Sequence, residues 1–322
     1  MLYIIQVTRK TKIAVLGYGS QGRAWALNLK DSGHDIIIGL RPGSKSRKVA
    51  RREGFRQLAA LPNTVASAQV IVFAFPDHLH SKVFDKDIRP HLQPGSTLIF
   101  LHGLSIHFKT VIPPRNCDII LLAPLGPGNA VREKYLSNEP IGFFYAIHQD
   151  YSGKAKATVN TFVRALKIDR KALIKTSFAE EAIGDIFGEQ AVLCGGLSQL
   201  IKAGYDTLVE SGLSPDKAYL EVAYQIDLIV ELIKKYGIEG MLRRVSVTAR
   251  LGSILAGPRI IDRGVKTRMR RLLGEIQGGK FVRTLDSLEP ARLKRLDRRL
   301  KDLSSPSFEK SARKFSSQKK KK

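Results

Sequence analysis

The sequence is short of cysteine, of acidic residues and of long apolar runs, and each shortage narrows what the chain can be. Its two cysteines, Cys117 and Cys194, show no CxxC or metal-ligand spacing. Such sparse usage fits a reducing compartment, and a cytoplasmic location is expected. No apolar stretch approaches the roughly 20 residues that span a bilayer. The apolar run nearest the start, residues 2–7, is too short for a secretory signal, so no membrane partner is expected. Acidic residues number 29 against 54 Lys and Arg, a formal net charge of +25. The imbalance is uneven, because residues 263–322 carry 20 basic and 6 acidic side chains. Such a segment could attract phosphates without sequence preference. Between residues 292 and 322, however, Phe308 and Phe315 are the only aromatics, few platforms on which bases could stack. A solvated basic segment is expected there, not a nucleic-acid site.

What is present describes a folded protein of two domains. The chain has 322 residues, 43% of them hydrophobic, and that content is spread along its length. Short apolar runs at 12–16, 35–40, 70–75, 97–101, 118–123 and 140–146 read as buried strands. Helical patterns intervene at 21–32, where Ala24, Leu27 and Leu29 form a stripe, and at 153–166. This alternation predicts an α/β domain with a doubly wound, mostly parallel sheet. Beyond Phe178 the strand-like runs stop. Long helical patterns follow at 179–211, with Gly195 and Gly196 as a kink or close-packing point, at 215–237 and at 241–253. The expected organisation is an α/β domain over 1–177 and an all-α domain over 178–303, the latter including a basic helix at 292–303. A disordered basic tail is expected over 304–322.

Gly17-Tyr18-Gly19-Ser20-Gln21-Gly22 is a GxGxxG between a predicted strand and a predicted helix. The first glycine permits the tight turn, the second admits a diphosphate to the backbone, and the third lets helix and strand pack closely. The helix N-terminus supplies N–H groups and a positive dipole end. A Rossmann-like dinucleotide site is therefore expected. An NAD-selective site would end the next strand in Asp or Glu. Here Arg41 follows that strand, with Ser44 and Ser46 close behind, a set suited to a 2′-phosphate. NADPH is the expected cofactor. In the helical half, Asp185 and Glu189 stand four residues apart, as do Glu221 and Gln225. Each pair shares one helix face, and such oxygen clusters suit Mg²⁺.

The segments GYGSQGRAWALNLKDSG, GLRPGSKS, HGLSIHF, APLGPG, HQDYSGKA, DIFGEQAVLCGG and GPRIID occur in this order. Together the chain resembles ketol-acid reductoisomerase. The resemblance implies an NADPH- and Mg²⁺-dependent enzyme of branched-chain amino-acid biosynthesis. Its reaction moves an alkyl group within 2-acetolactate or 2-aceto-2-hydroxybutyrate and reduces the product to a 2,3-dihydroxy acid. It implies a C-terminal domain knotted or interdigitated between subunits, and hence a homodimer or higher homo-oligomer. By this likeness Asp185 bridges two Mg²⁺ ions, with Glu189 on one and Glu221 on the other, and Gln225 stands at the remaining metal-ligand position. His102 is the catalytic histidine near the substrate, with His107 structural, and Ser246 contacts the substrate carboxylate. The cofactor positions are Tyr18, Gly19, Ser20, Gln21, Asp77, His78, Leu79, His80 and Gly128, beside Arg41, Ser44 and Ser46.

Four positions depart from the family pattern. Gln225 replaces a glutamate, Leu125 a lysine, Arg250 a glutamate, and Asn129 follows APLGPG where other side chains are usual. With an amide at 225, three carboxylates face the +4 charge of two ions, so one metal is expected to bind more weakly. The alternative expectation is a diverged copy that binds NADPH but has a weak or absent isomerase step.

Overall fold

The computed structural model describes residues 11–319. Residues 1–10, including the apolar run at 2–7, and residues 320–322 lie outside the described residues. The chain divides into two compact units, the first ending at Gly184 and the second beginning at Asp185.

In the first unit eight strands form one sheet: β1 (Lys12–Leu16), β2 (Asp35–Gly39), β3 (Leu58–Ala59), β4 (Val70–Phe73), β5 (Thr97–Phe100), β6 (Asp118–Pro124), β7 (Phe143–Gln149) and β8 (Leu173–Lys175). Their order is β3-β2-β1-β4-β5-β6-β7-β8, and only β6 and β7 run antiparallel. Strands covered on both faces read as unbroken apolar runs. Accordingly, Ile13, Val15, Val70 and Val72 pack on one face of the sheet, while Ala14, Leu16, Ile71 and Phe73 pack on the other. The first face buries Trp25 against Phe143 and Phe162, and the second stacks Phe73 on Phe100 at 4.4 Å. β7, one strand from the sheet edge, is buried only at Phe143 and Ala146 and is more open toward its C-terminal end. Helices α1 (Ser20–Asp31), α2 (Ser46–Arg52), α3 (Leu61–Ala66), α4 (His80–Val83), α5 (Leu104–His107), α6 (Gly128–Ser137) and α7 (Ala155–Ala165) link the strands.

The predicted domain boundary near 177 coincides with the start of α8 (Phe178–Gly188). The break in contacts falls later, inside that helix. The reason is burial: Phe178 joins the core of the sheet and Glu181 is 5% exposed.

The second unit is helical. It contains α9 (Gly195–Glu210), α10 (Pro215–Tyr219), α11 (Ile226–Leu242), α12 (Val247–Ile260), α13 (Arg263–Gln277), α14 (Lys280–Asp286), α15 (Pro290–Asp302) and α16 (Pro306–Lys319). Two π-turns interrupt the long patterns, at Glu189–Leu193 and Leu220–Tyr224. Gly195 and Gly196 sit where the first returns to α-helix. A Cβ there would lie 2.2 Å from the Gln190 carbonyl oxygen and 2.1 Å from that of Ala191. Gly237, at φ 72°, breaks α11. Among the described residues no helix is long and apolar enough to cross a membrane.

The C-terminal expectation needs correction. Residues 304–319 are not a disordered tail, because α16 has a sequence-encoded partner surface. Phe308 packs edge-on against Tyr205 and Tyr219, with ring centroids 5.1 and 5.3 Å apart, and Phe315 stacks on Tyr219 at 6.0 Å. Ser311 donates to Asp216 at 2.6 Å, and Lys314 pairs with the same carboxylate. Those two contacts hold the Asp216 carboxyl below the usual range, Lys314 first. The two aromatics that were too few for nucleic acid are half-buried and carry this helix packing.

Candidate active site

Gly17 and Gly22 of the fingerprint do the steric work its spacing predicts. Gly17 turns at φ 100°, and a Cβ there would meet the Ala74 carbonyl oxygen at 2.5 Å. A Cβ on Gly22 would lie 2.5 Å from the Gly17 carbonyl oxygen, so helix and strand touch. Gly19 is different, since nothing lies within 4 Å of the place its Cβ would occupy. Open space beside the middle glycine, at a helix N-terminus that no side chain caps, is what a diphosphate requires. Gln21 donates to the Gly126 carbonyl at 2.8 Å, while its Oε1 is buried without a partner among the described residues. Gly128 opens α6 directly against this turn. A Cβ on it would stand 2.2 Å from the Ser20 carbonyl oxygen and 2.6 Å from the Gln21 nitrogen. These features fit a dinucleotide.

Tyr18 is placed otherwise than expected. Its side chain is buried in the core, and its hydroxyl donates to Glu53 at 2.6 Å. Burial, then the Glu53 contact, pushes the phenol well above its ordinary range. Arg23, donating to the same carboxylate at 2.8 Å, holds Glu53 low. Only the backbone of Tyr18 is left to meet a cofactor.

After β2, Arg41 stands exposed, the Ser44 amide donates to the Arg41 carbonyl at 3.2 Å, and Ser46 begins α2. Arg47, which the sequence reading passed over, is half-buried and donates to the Leu40 carbonyl at 3.2 Å. Its adjacency to Ser46 was the available signal. If this loop reads a 2′-phosphate, Arg41→Asp weakens NADPH by roughly tenfold to a hundredfold through charge reversal and leaves NADH unchanged or improved. Competitive titration of the two cofactors measures this.

The loop after β4 holds Asp77, His78 and Leu79 in a 3₁₀ turn, with all three partly exposed. His80 departs from its expected role, because it is 3% exposed and both ring nitrogens are engaged. Nδ1 lies 2.7 Å from the Ser105 hydroxyl and Nε2 lies 3.0 Å from the Phe75 carbonyl oxygen. An enclosed, fully bonded ring cannot present itself to a cofactor. Burial lowers its pKa below the ordinary histidine range, outweighing the raising influence of Asp77, 3.7 Å away, and of the Phe75 carbonyl. His102 and His78 add smaller lowering effects. As pH falls through about 6.5, the unfolded chain therefore takes up a proton that the folded chain refuses, and stability falls. A melting temperature that drops as acidity rises from about pH 7 to 5.5 is expected, with a shallower drop in His80→Gln.

After β5, His102 and Gly103 are fixed by Glu181, a residue absent from the sequence-derived set. Glu181 Oε2 accepts from the Gly103 amide at 2.5 Å and lies 3.0 Å from His102 Nδ1. A carboxylate only accepts, so Nδ1 carries the ring proton and the tautomer is set. Gly103 is required because a Cβ would lie 2.4 Å from the Phe178 carbonyl oxygen. The missed signal was spacing: Glu181, Asp185 and Glu189 recur every fourth residue. Leu125, in the loop after β6, is 48% exposed.

Asp185, Glu189, Glu221 and Gln225 are all exposed. Glu189 begins one π-turn, while Glu221 lies in the other with Gln225 just after it. Irregular turns of this kind recur at functional sites. Gln225 donates its amide to the Leu220 carbonyl at 3.1 Å. Among the described residues of a single chain, no three His, Cys, Asp or Glu side chains gather as a metal site. The structure thus places these donors on two separate segments and does not bring them together. Ser246 caps α12, its hydroxyl accepting from the Ala249 amide at 3.1 Å, which leaves its own O–H available to donate. Arg250 stands one turn further along.

Comparison with known proteins settles the family. Residues 7–171 match the family model described as acetohydroxy acid isomeroreductase, NADPH-binding domain, and residues 178–318 match ketol-acid reductoisomerase, C-terminal domain. The chain belongs to the ketol-acid reductoisomerase family. It is an oxidoreductase whose first unit is the family's NADPH-binding domain. The ketol-acid reductoisomerase (NADP(+)) of Petrotoga mobilis is 46% identical over 275 residues, covering 85% of this chain and 83% of that protein. That of Pyrobaculum arsenaticum is 46% identical over 271 residues, covering 84% and 82%. Among solved structures, an NADH-preferring ketol-acid reductoisomerase from an uncultured archaeon superposes with a TM-score of 0.89 at 32% identity, over 95% of this chain and 94% of that one. The match to 318 includes α16, in line with its packing.

Proposed function

We propose that this chain converts 2-acetolactate or 2-aceto-2-hydroxybutyrate to the corresponding 2,3-dihydroxy acid, using NADPH and Mg²⁺, within the cytoplasm. The observation that carries this reading is the Glu181 carboxylate holding both His102 and Gly103 at the carboxyl end of β5, on the edge where ligands bind in open α/β sheets. The family match spans both units, which favours the complete reaction over cofactor binding alone.

NADPH, when bound, supplies the hydride; Gly19, Ser20 and Gln21 would take its diphosphate, and Arg41, Ser44 and Ser46 its 2′-phosphate. Mg²⁺, when bound, polarises the substrate's carbonyl and hydroxyl oxygens. Asp185 and Glu189, exposed oxygen donors one turn apart in sequence, would supply two of its ligands. Glu181 keeps the His102 proton on Nδ1, so Nε2 is the ring atom that exchanges a proton with the substrate oxygen or with water. The Ser246 hydroxyl, at the N-terminus of α12, donates to the substrate carboxylate, and Arg250 adds a cation nearby.

A second copy of the chain completes the site. In one chain α11 and α12 bury no residue, although they carry Leu228, Val230, Val247, Leu251, Ile254 and Leu255 as exposed apolar side chains. Helices so apolar do not stand alone in water. A homodimer covers them and brings Glu221, Gln225 and Ser246 of one copy toward Asp185 and Glu189 of the other. Light scattering that gives a dimer or larger particle, and mass-spectrometric detection of the dihydroxy acid only when Mg²⁺, NADPH and acetohydroxy acid are all present, are the expected results. A monodisperse monomer that forms product would overturn the shared site.

The amide at 225 predicts a measurable departure in metal affinity. Gln225→Glu adds one ligand charge and lowers the Mg²⁺ concentration for half-maximal activity by roughly tenfold, about 1.4 kcal/mol. The gain is partly offset by loss of the hydrogen bond to Leu220, which a carboxylate cannot donate. Mg²⁺ titration of the two proteins checks this.

A further inference from the structure

We propose that His80 is a positioning residue that locks the loop after β4, where the cofactor is expected, to the loop after β5, which carries His102. The sheet itself does not join these loops. Pairing between β4 and β5 ends at Phe73 and Phe100, so beyond that point their relative position depends on side chains. One imidazole bridges the gap, reaching the Phe75 carbonyl oxygen at 3.0 Å on one side and the Ser105 hydroxyl at 2.7 Å on the other.

The chemistry of the partners assigns every proton. A carbonyl only accepts, so Nε2 carries the hydrogen and donates to Phe75. Nδ1 then holds a lone pair and accepts the Ser105 O–H. Neither side chain has room to choose another geometry, since His80 is 3% exposed and Ser105 fully buried. Three rings enclose the imidazole: Phe75 at 4.5 Å, Phe73 at 5.6 Å and Phe100 at 6.2 Å between centroids. The bridge lands at informative places. Phe75 and Pro76 lead directly into Asp77, His78 and Leu79, and Ser105 follows His102 and Gly103 in the turn that Glu181 anchors. A displacement at either end would shift the loop expected to meet the cofactor relative to the His102 ring, and small misplacements are costly in a reaction between two held groups.

The inference rests on the reading of His102 and the cofactor loop given above, and the test separates the two. His80→Leu keeps the volume and removes both hydrogen bonds. His80→Gln restores a donor and an acceptor on one planar group. Ser105→Ala removes one bond only. The leucine variant is expected to lower kcat by at least about tenfold, to raise the NADPH dissociation constant several-fold and to speed amide hydrogen exchange at residues 76–80 and 102–105. The glutamine variant is expected to return all three to within a few-fold of the native protein. Ser105→Ala gives a smaller loss of the same kind, and decides the matter if the leucine variant does not fold. Native exchange rates and kcat in His80→Leu, or in Ser105→Ala where leucine is not tolerated, overturn the lock. A glutamine variant as impaired as leucine overturns the donor–acceptor role. Should the native protein not turn over acetohydroxy acids, the functional reading fails, while the exchange and NADPH measurements still test the lock.

Discussion

Gly128→Ala both destabilises the protein and weakens NADPH binding, whereas Gly19→Ala leaves the fold intact and weakens NADPH alone. The two glycines belong to the same site but face opposite constraints. A Cβ on Gly128 would sit 2.2 Å from one backbone atom of Ser20 and 2.3 Å from another, and backbone cannot swing aside. Overpacking of this kind costs about 1–3 kcal/mol, or a fall of roughly 2–10 °C in melting temperature. The displaced turn is the one proposed to carry the diphosphate. A Cβ on Gly19 meets no protein atom within 4 Å, so it occupies only the space the cofactor needs. A rise of roughly tenfold to a hundredfold in the NADPH dissociation constant follows, equivalent to about 1.4–2.8 kcal/mol. Thermal melts and fluorescence titration with NADPH separate the two outcomes.

The second large effect is at Glu181. Glu181→Ala leaves the Gly103 amide and the His102 Nδ1–H without the acceptor seen in the structure. Each loss costs about 1–3 kcal/mol where water cannot enter. The His102 tautomer is no longer set, and kcat is expected to fall by about 10²–10⁴, with NADPH affinity within a few-fold of native. Glu181→Gln keeps one oxygen, yet its amide NH₂ must face one of two donors. An intermediate kcat is expected. Steady-state kinetics beside cofactor titration distinguish this pattern from general unfolding, which would depress both.

Strands buried on both faces were legible because their apolar runs are continuous, as in Val70–Phe73 and Thr97–Phe100. β3 and β8, with two and three residues, are too short to produce such a run. In the glycine-rich turn, the tight turn at Gly17 and the close helix–strand contact at Gly22 were legible. Side-chain direction was not. Motif matching marked Tyr18 and His80 as cofactor positions, but a matched position does not show whether its ring faces outward or inward. Glu181 continues the four-residue spacing of Asp185 and Glu189, but that spacing does not show its carboxylate turning to the Gly103 amide and His102. The π-turns at Glu189 and Glu221 depend on backbone geometry that a residue pattern does not encode. The basic C-terminus misled in the opposite direction, since its charge suggested solvent while Phe308 and Phe315 already supplied a packing face.

This chain, with Gln225 and Leu125 in place, is proposed to carry out both the rearrangement and the reduction. Single-turnover reactions with 2-acetolactate and with its rearranged 2-keto acid, across a range of Mg²⁺, test it most directly. The expected result is stoichiometric NADPH oxidation with either substrate, with 2-acetolactate demanding the higher Mg²⁺ concentration. Reduction of the rearranged keto acid with no consumption of 2-acetolactate at any Mg²⁺ concentration would contradict it.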